Sequence, residues 1–216
     1  MNQTKELIAE LKKAGIHNPK VLEAIQNVPR NRFIHSKDSH RAFKNIALPI
    51  DCQQTISQPY IVALMTEALF RHNNPQKILE IGTGSGYQSA ILAYLFPTVF
   101  SIERILPLHK SATERLKALN IRNVQTAYGD GFIGWQEHAP YDGILVTACA
   151  PEVPISLLAQ LSPKGGVLVI PLASQKGAQE LRLFEKQDDK ITSSHLEFVS
   201  FVPLLAGTHD PNISSK

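Results

Sequence analysis

From Lys77 onward the chain alternates between two hydrophobic periods, and this alternation limits the possible folds more than any other feature. Short β-branched runs at residues 77–81, 99–102, 123–127, 143–147 and 167–170 suit strands, while residues 87–95 and 107–119 repeat apolar positions at helical spacing. Strands of this kind, separated by roughly 10 to 15 residues of helical pattern, make βαβ units. The expected fold is a doubly wound α/β domain around a mostly parallel sheet covered on both faces. The end of the chain differs. Residues 180–186 and 190–204 are consecutive strand patterns around Asp188-Asp189 with no helix between them, which predicts a closing antiparallel hairpin.

The first part of the chain predicts a helical extension. Leu7, Ile8, Leu11 and Ala14 recur at helical spacing before Gly15, and Asn18-Pro19 offers a cap and a first-turn proline for a second helix carrying Val21, Leu22, Ile25 and Val28. Residues 30–56 keep no period, yet Phe33, Ile34, Phe43, Ile46, Leu48 and Ile50 give them something to bury, so they are expected to form an ordered cover over a cleft. A further helix should run over residues 59–71, with Ser57 or Gln58 as its cap, and end at His72-Asn73-Asn74-Pro75. One domain is expected, with residues 1–74 as extension and residues 75–216 as the α/β core.

Composition removes several classes of protein. With 216 residues, 43% hydrophobic and 19% charged, the chain can bury a full core and is no disordered tail. Two cysteines, Cys52 and Cys149, cannot build a disulfide framework, and free thiols that pack are expected. No metal-ligand spacing surrounds either, so no metal is expected. The polar start Met1-Asn2-Gln3-Thr4-Lys5-Glu6 has no export character, and no apolar run approaches the roughly 18 residues a membrane span needs. Lys and Arg number 22 against 19 Asp and Glu, without a basic run, which suggests a mixed solvated surface and no nucleic-acid or membrane partner. A cytoplasmic monomer is expected.

The sharpest local signal is Glu80-Ile81-Gly82-Thr83-Gly84-Ser85-Gly86, where the first core strand hands over to a helix. Glycines there permit a tight turn and let a ligand approach the backbone, with amides at the following helix start free to attract polar atoms. The dinucleotide fingerprint would require glycine or alanine where Tyr87 stands. An acid at Glu80 also repels a pyrophosphate but suits a ligand with an ammonium group. Glu103 follows the second strand 21 residues after Gly82, the spacing at which an acid accepts from ribose hydroxyls. Asp130, in Gly129-Asp130-Gly131 after the third strand, is placed to meet the exocyclic amine of a base. A nucleoside-containing ligand is therefore expected in one crevice lined by all three acids.

Thr55-Ile56-Ser57-Gln58-Pro59-Tyr60 puts two hydroxyls, an amide and a proline at a helix start. Ser57 either caps that helix or, with nearby N–H groups, holds a carboxylate. The motifs taken in order, Val28-Pro29-Arg30 with Phe33, Leu48-Pro49-Ile50, Gln54-Thr55-Ile56-Ser57-Gln58-Pro59-Tyr60, Leu79 to Tyr87, and Ser101-Ile102-Glu103-Arg104, resemble those of bacterial protein-L-isoaspartate O-methyltransferases. Gly129-Asp130-Gly131 with Gly134-Trp135, Ala139-Pro140-Tyr141-Asp142, Ala150-Pro151-Glu152-Val153-Pro154 and Phe201-Val202-Pro203-Leu204 continue the resemblance nearly end to end. Where that family has glycines before Gln-Thr-Ile-Ser, this chain has Asp51-Cys52-Gln53, and Cys149 replaces a more common alanine.

The resemblance implies a Rossmann-like methyltransferase that moves a methyl group from S-adenosylmethionine to the α-carboxylate of isoaspartyl residues in damaged proteins, starting their repair and leaving S-adenosylhomocysteine. It implies Ser57 as the active-site residue. Ile56, Glu80, Ile81, Gly82, Thr83, Gly84, Ser85 and Gly86 would lie by the methionine part, Glu103 by the ribose, and Asp130 with Gly131 by the adenine. Thr55, Phe201, Val202, Pro203 and Leu204 would bind the substrate. The acceptor is already ionised at neutral pH, so alignment and removal of water are the tasks left to the protein. A same-fold methyltransferase with another acceptor, or a non-catalytic module that only binds the cofactor, would share the cofactor half.

Overall fold

The computed structural model describes residues 2–71, 74–174 and 177–211. The N-terminal part holds α1 (Asn2–Lys13), α2 (Pro19–Asn27), two short 3₁₀ turns at Arg30–Arg32 and Ser36–Arg41, a two-stranded ribbon of β1 (Leu48–Pro49) and β2 (Thr55–Ile56), and α3 (Pro59–Ala68). The core follows as β3 (Lys77–Ile81), α4 (Tyr87–Leu95), β4 (Thr98–Glu103), α5 (Leu106–Ala118), β5 (Val124–Tyr128), β6 (Gly143–Val146), α6 (Ile155–Ala159), β7 (Lys164–Ala173), β8 (Gln179–Gln187) and β9 (Lys190–Val199). His72 and Asn73, half of the expected stop signal for α3, lie outside the described residues.

Seven strands form one sheet in the order β5-β4-β3-β6-β7-β8-β9. The pairs among β3 to β7 are parallel, and β7-β8-β9 closes the sheet as an antiparallel meander. The chain runs from β3 outward through β4 and β5, then returns to the other side of β3 for β6. That reversal opens a crevice at the carboxyl ends of β3 and β6, the place where open α/β sheets bind ligands. The central strands are buried along nearly their whole length, the burial of β3 reading from Ile78 through Ile81 without a break. Continuous burial of this kind follows from helices on both faces.

The N-terminal elements belong to the same packed body as α4. Val21, Leu22 and Ile25 of α2 join Val62 and Ala63 of α3 and Tyr87, Ala90 and Ile91 of α4 in one apolar cluster, with Phe33 and Ile56. The Asn18 side chain caps α2 by accepting from the Lys20 amide at 3.0 Å, an interaction worth about 1 kcal/mol. Glu67 of α3 accepts from the amides of His17 and Asn18, fixing the α1–α2 turn against α3. The segment expected to be irregular is ordered by short turns and by the β1–β2 ribbon.

Two expectations shift. The strand pattern over residues 190–204 stops as a strand at Val199, and the remainder becomes an extended strap across the carboxyl ends of the sheet. Helix α6, with only one buried position, was invisible to periodicity. Both cysteines are free, Cys149 buried and Cys52 half-buried. No helix among the described residues is long and apolar enough to cross a membrane.

Candidate active site

The glycine turn is built for close approach and offers few free donors. Gly82, Gly84 and Gly86 have φ of 93°, 53° and 87°, the left-handed region where side chains are strained. At Gly82 there is also no room, since a Cβ would lie 2.3 Å from Thr147 Oγ1. That hydroxyl donates to the carbonyls of Gly82 at 2.7 Å and Ile81 at 3.0 Å, joining the end of β6 to the turn after β3. The amides of Gly82 and Thr83 both donate to the Ile102 carbonyl, and that of Gly86 to the Thr83 carbonyl. The Gly84 amide donates to Glu103. The expectation that these amides wait for a polar ligand is therefore corrected. Most are spent on Ile102 and Glu103 of β4, so the turn is a backbone wall with few free donors and not an anion nest.

The three acids do not share one crevice, as the sequence led us to expect. Glu103 is in it: only 4% exposed, its Oε2 accepts from the Gly84 amide at 2.8 Å and its Oε1 from the Ile105 amide at 2.9 Å. Burial raises its pKa, opposed by those amides and by Arg104. A carboxylate has about four acceptor sites, more than the backbone amides of Gly84, Ile105 and Arg104 fill, which leaves capacity for a hydroxyl. Glu80, in contrast, is fully buried beneath the turn and does not line the crevice. Its Oε2 accepts from Ser101 Oγ at 2.6 Å and from Ser89 Oγ on α4. Burial pushes its pKa to about 8, against the pull of the two serines, so its neutral form prevails at pH 7. A neutral carboxyl facing α4 does not offer an ammonium group the partner expected from the sequence.

Asp130 also has structural work. Its Oδ1 accepts from the Phe132 amide at 2.9 Å and its Oδ2 from the Gly207 amide at 2.7 Å, so it fastens the strap to the loop after β5. Its neighbour Gly131 does line the crevice. A Cβ at Gly131 would lie 2.3 Å from Ile81 Cγ2, which explains the glycine.

The Thr55–Ser57 segment forms the opposite wall. Ile56 is buried, Thr55 exposed and Ser57 half-buried, and all three line the crevice. The capping alternative for Ser57 does not hold, because Gln58 occupies the N-cap position of α3 without a side-chain capping bond and the Asn45 side chain accepts from the first-turn amide of Tyr60 at 2.9 Å. Ser57 thus lines the crevice with a hydroxyl that makes no hydrogen bond to the described residues, while its carbonyl accepts from Arg30. Just before it, Cys52 and Gln53 have φ of 56° and 57°, a left-handed conformation that residues with a side chain adopt at a cost.

The strap completes the enclosure. The Cys149 amide donates to the Val202 carbonyl and the Leu204 amide to the Cys149 carbonyl; farther on, the His209 amide donates to the Arg104 carbonyl and the Leu106 amide to the His209 carbonyl. Val202, Pro203 and Leu204 line the crevice, with Leu205 and His209, which sequence reasoning missed. Phe201 does not. Both of its backbone groups are held by the Gln179 side chain, at 2.6 and 3.0 Å, and its ring packs toward the sheet. Thr147 was missed as well; a hydroxyl at the end of a core strand was its only sequence signal.

Together these walls enclose about 490 Å³, with the Ile81–Ser85 turn, Glu103 and Gly131 on one side and Thr55–Ser57 on the other. That volume suits a cofactor-sized molecule. A ribose acceptor, a backbone wall with few free donors and a hydroxyl opposite it fit a nucleoside carrying a small polar arm, and a pyrophosphate poorly.

Comparison with known proteins gives the same picture. The family model described as protein-L-isoaspartate(D-aspartate) O-methyltransferase matches residues 2–209. A Shewanella sp. (strain ANA-3) protein named protein-L-isoaspartate O-methyltransferase is 51% identical over 201 residues, 93% of each chain. A protein of the same name from Alkalilimnicola ehrlichii is 49% identical, over 93% of this chain and 90% of its own. Among solved structures, a protein-L-isoaspartate O-methyltransferase superposes with a TM-score of 0.83 at 29% identity, covering 93% of this chain and 65% of that longer one. A Plasmodium falciparum structure described as a putative protein-L-isoaspartate O-methyltransferase in complex with S-adenosyl-L-homocysteine gives 0.81 at 26% identity, over 93% and 97% of the two chains.

Proposed function

The chain belongs to the protein-L-isoaspartate(D-aspartate) O-methyltransferase family, and from that premise we propose how its crevice carries the reaction. The protein is an S-adenosylmethionine-dependent carboxyl methyltransferase acting on isoaspartyl residues of damaged proteins. When bound, the cofactor supplies a methyl carbon on a positively charged sulfur that departs as a neutral thioether. Glu103 accepts from the ribose hydroxyls, Gly82–Ser85 and Ile81 form the wall beside the amino-acid arm, and Gly131 bounds the adenine end. The acceptor capacity of Glu103 and the places of Gly82 and Gly131 in the crevice lining support this fit.

The acceptor carboxylate needs no base at neutral pH. What it needs is direction and a dry surface. Ser57 Oγ donates a hydrogen bond to one carboxylate oxygen and leaves the other to meet the methyl carbon. Ile56 and the strap's Val202 and Leu204 exclude water, and Thr55 with Pro203 contacts the flanking polypeptide. Glu80 works beneath the turn, locking β3, β4 and α4 through Ser101 and Ser89. Ser57, a lining residue of the same crevice as Glu103 whose hydroxyl is not spent on capping, carries this assignment. On this view residues 1–74 serve as an extension over a core of residues 75–216, and the protein works as a cytoplasmic monomer without nucleic acid or membrane.

The test is methyl transfer from labelled S-adenosylmethionine to one peptide in isoaspartyl and aspartyl forms, with Ser57→Ala beside the parent. Label on the isoaspartyl form alone is expected, reduced about 5- to 150-fold by the substitution, as for loss of a 1 to 3 kcal/mol donor. An undiminished rate in Ser57→Ala rules out its role, and equal labelling of both peptides rules out the acceptor.

A further inference from the structure

Behind the Ser57 loop lies a buried cation that the reaction as described does not use. Arg30 is 1% exposed. Its Nη1 donates to the Ala42 carbonyl at 2.9 Å, and its Nη2 to the carbonyls of Ile46 at 2.9 Å and Ser57 at 3.0 Å. Its guanidinium carbon lies 6.0 Å from the ring centroid of Tyr87, the residue that opens α4 directly after Gly86. No carboxylate among the described residues forms an ion pair with it, and its Nε has no partner there. Burial lowers its pKa to about 10.

Stability alone is a poor reason for such a group. An unpaired buried charge carries a desolvation cost that three carbonyls and a ring face have to offset, a cost that an apolar side chain of similar volume would not bring. What the guanidinium does that an apolar residue does not is join three separated pieces of chain at fixed angles. One of those pieces is the carbonyl of Ser57.

The Ser57 hydroxyl has no hydrogen bond of its own to set its direction. Only Ser57 and Gln58 separate β2 from α3, so its backbone is held between buried Ile56 on one side and the helix start on the other. The carbonyl is the remaining handle, and Arg30 holds it. We propose that Arg30 is a positioning residue for methyl transfer, fixing the Ser57 peptide so that the hydroxyl points into the crevice toward the substrate carboxylate. Tyr87, against the other side of the guanidinium, ties that setting to the helix that follows the cofactor turn. A planar fork with several donors reaches Ala42, Ile46 and Ser57 together, which a lysine ammonium cannot do in the same geometry.

This assignment rests on Ser57 touching the substrate, so the experiment is a double-mutant cycle that separates the two claims. Parent, Arg30→Lys, Ser57→Ala and the double variant are compared for S-adenosylhomocysteine affinity by calorimetry and for kcat and KM on an isoaspartyl peptide. Arg30→Lys is expected to lower kcat about tenfold, as misplacement of a catalytic group does, with product affinity within about threefold of the parent. In the Ser57→Ala background the same change should alter kcat by less than about twofold. If Arg30→Lys slows both backgrounds by the same factor, or lowers kcat only in step with product affinity, Arg30 does not act through Ser57 and the proposal is overturned while the role of Ser57 stands. If Ser57→Ala is itself fully active, the role of Ser57 fails and that of Arg30 fails with it. Should Arg30→Lys not bind S-adenosylhomocysteine at all, the cycle is run on Arg30→Ala supplemented with methylguanidinium. Its effect on kcat must then appear with Ser57 present and vanish with Ser57→Ala; persistence in both backgrounds overturns the proposal.

Discussion

The amide of Gly84 donates to Glu103 Oε2 at 2.8 Å, so the turn proposed to wall the cofactor arm and the acid proposed to receive the ribose are a single hydrogen-bonded unit. Neither group can shift without the other. Replacing Glu103 by Gln keeps the volume and one acceptor but turns an NH₂ toward either the Gly84 or the Ile105 amide. Charge-assisted hydrogen bonds are worth about 1.5 to 3 kcal/mol. Affinity for S-adenosylhomocysteine should therefore fall roughly 10- to 150-fold, read by calorimetry, and thermal stability should fall too, because a buried amide loses its acceptor. An affinity within about threefold of the parent would show that Glu103 does not hold the ligand.

Gly82 faces two separate obstacles to a side chain: its φ of 93° and the Thr147 hydroxyl 2.3 Å from where a Cβ would sit. Gly82→Ala should destabilise the protein by about 2 kcal/mol or more and weaken cofactor binding, since the turn must open. Adding Thr147→Ala removes the close contact but leaves the backbone strain, so the double variant should recover part of the urea stability and not all of it. Full recovery would mean that φ contributes nothing; no recovery would mean that the contact relaxes elsewhere.

The left-handed backbone at Cys52 and Gln53 should be a reservoir of stability. Gln53 is exposed and loses little packing on substitution. Gln53→Gly should raise unfolding stability by about 0.5 to 1 kcal/mol, because relief of αL strain exceeds the extra freedom gained by the unfolded chain. For a chain of this size that is about 2 to 4 °C in the melting midpoint. A lower midpoint in Gln53→Gly would show that the side chain makes a contribution greater than the strain.

Glu80 predicts a pH dependence with a defined sign. Its pKa is raised from the ordinary 4.5 to about 8 on folding, so between those values the folded protein keeps a proton that the unfolded chain releases. The stability due to this group is complete below 4.5, declines as pH rises through the window and is lost above about 8. Glu80→Gln, which imitates the neutral form, should flatten the fall in urea stability between about pH 5 and about pH 8 relative to the parent. Parallel pH profiles for the two proteins would exclude a buried neutral carboxyl at this position.

How far the sequence reaches can be judged from single elements. The bounds expected for β3 and α4 are those observed, and the strand–turn–helix with its three glycines stands where the periodicity put it. These features are local: period 2 and period 3.6 patterns and the conformational freedom of glycine act over a few neighbouring residues. Ser57 at its helix start read equally as a cap and drew its active-site role from the resemblance, whereas Glu103 was legible as a crevice residue, through its place at a strand's carboxyl end. Glu80 was not, although it precedes the same turn. Successive residues of a strand face opposite sides of the sheet, and only the packing of α4 decided that this carboxyl meets Ser89 and Ser101 in place of the ligand.

The βα alternation, the parallel core, the closing hairpin and the glycine turn were determined by the sequence alone, because each follows from side-chain patterns within about 20 residues. The tertiary structure decided the rest. It spent the turn's amides on Ile102 and Glu103, gave Asp130 to the strap through Gly207, left the Ser57 hydroxyl free by starting α3 at Pro59, and brought Arg30 from 27 residues away onto the Ser57 carbonyl. Each of these joins groups distant in sequence. Their direction and partners arise only when helices and strands pack and every buried donor and acceptor must find a partner.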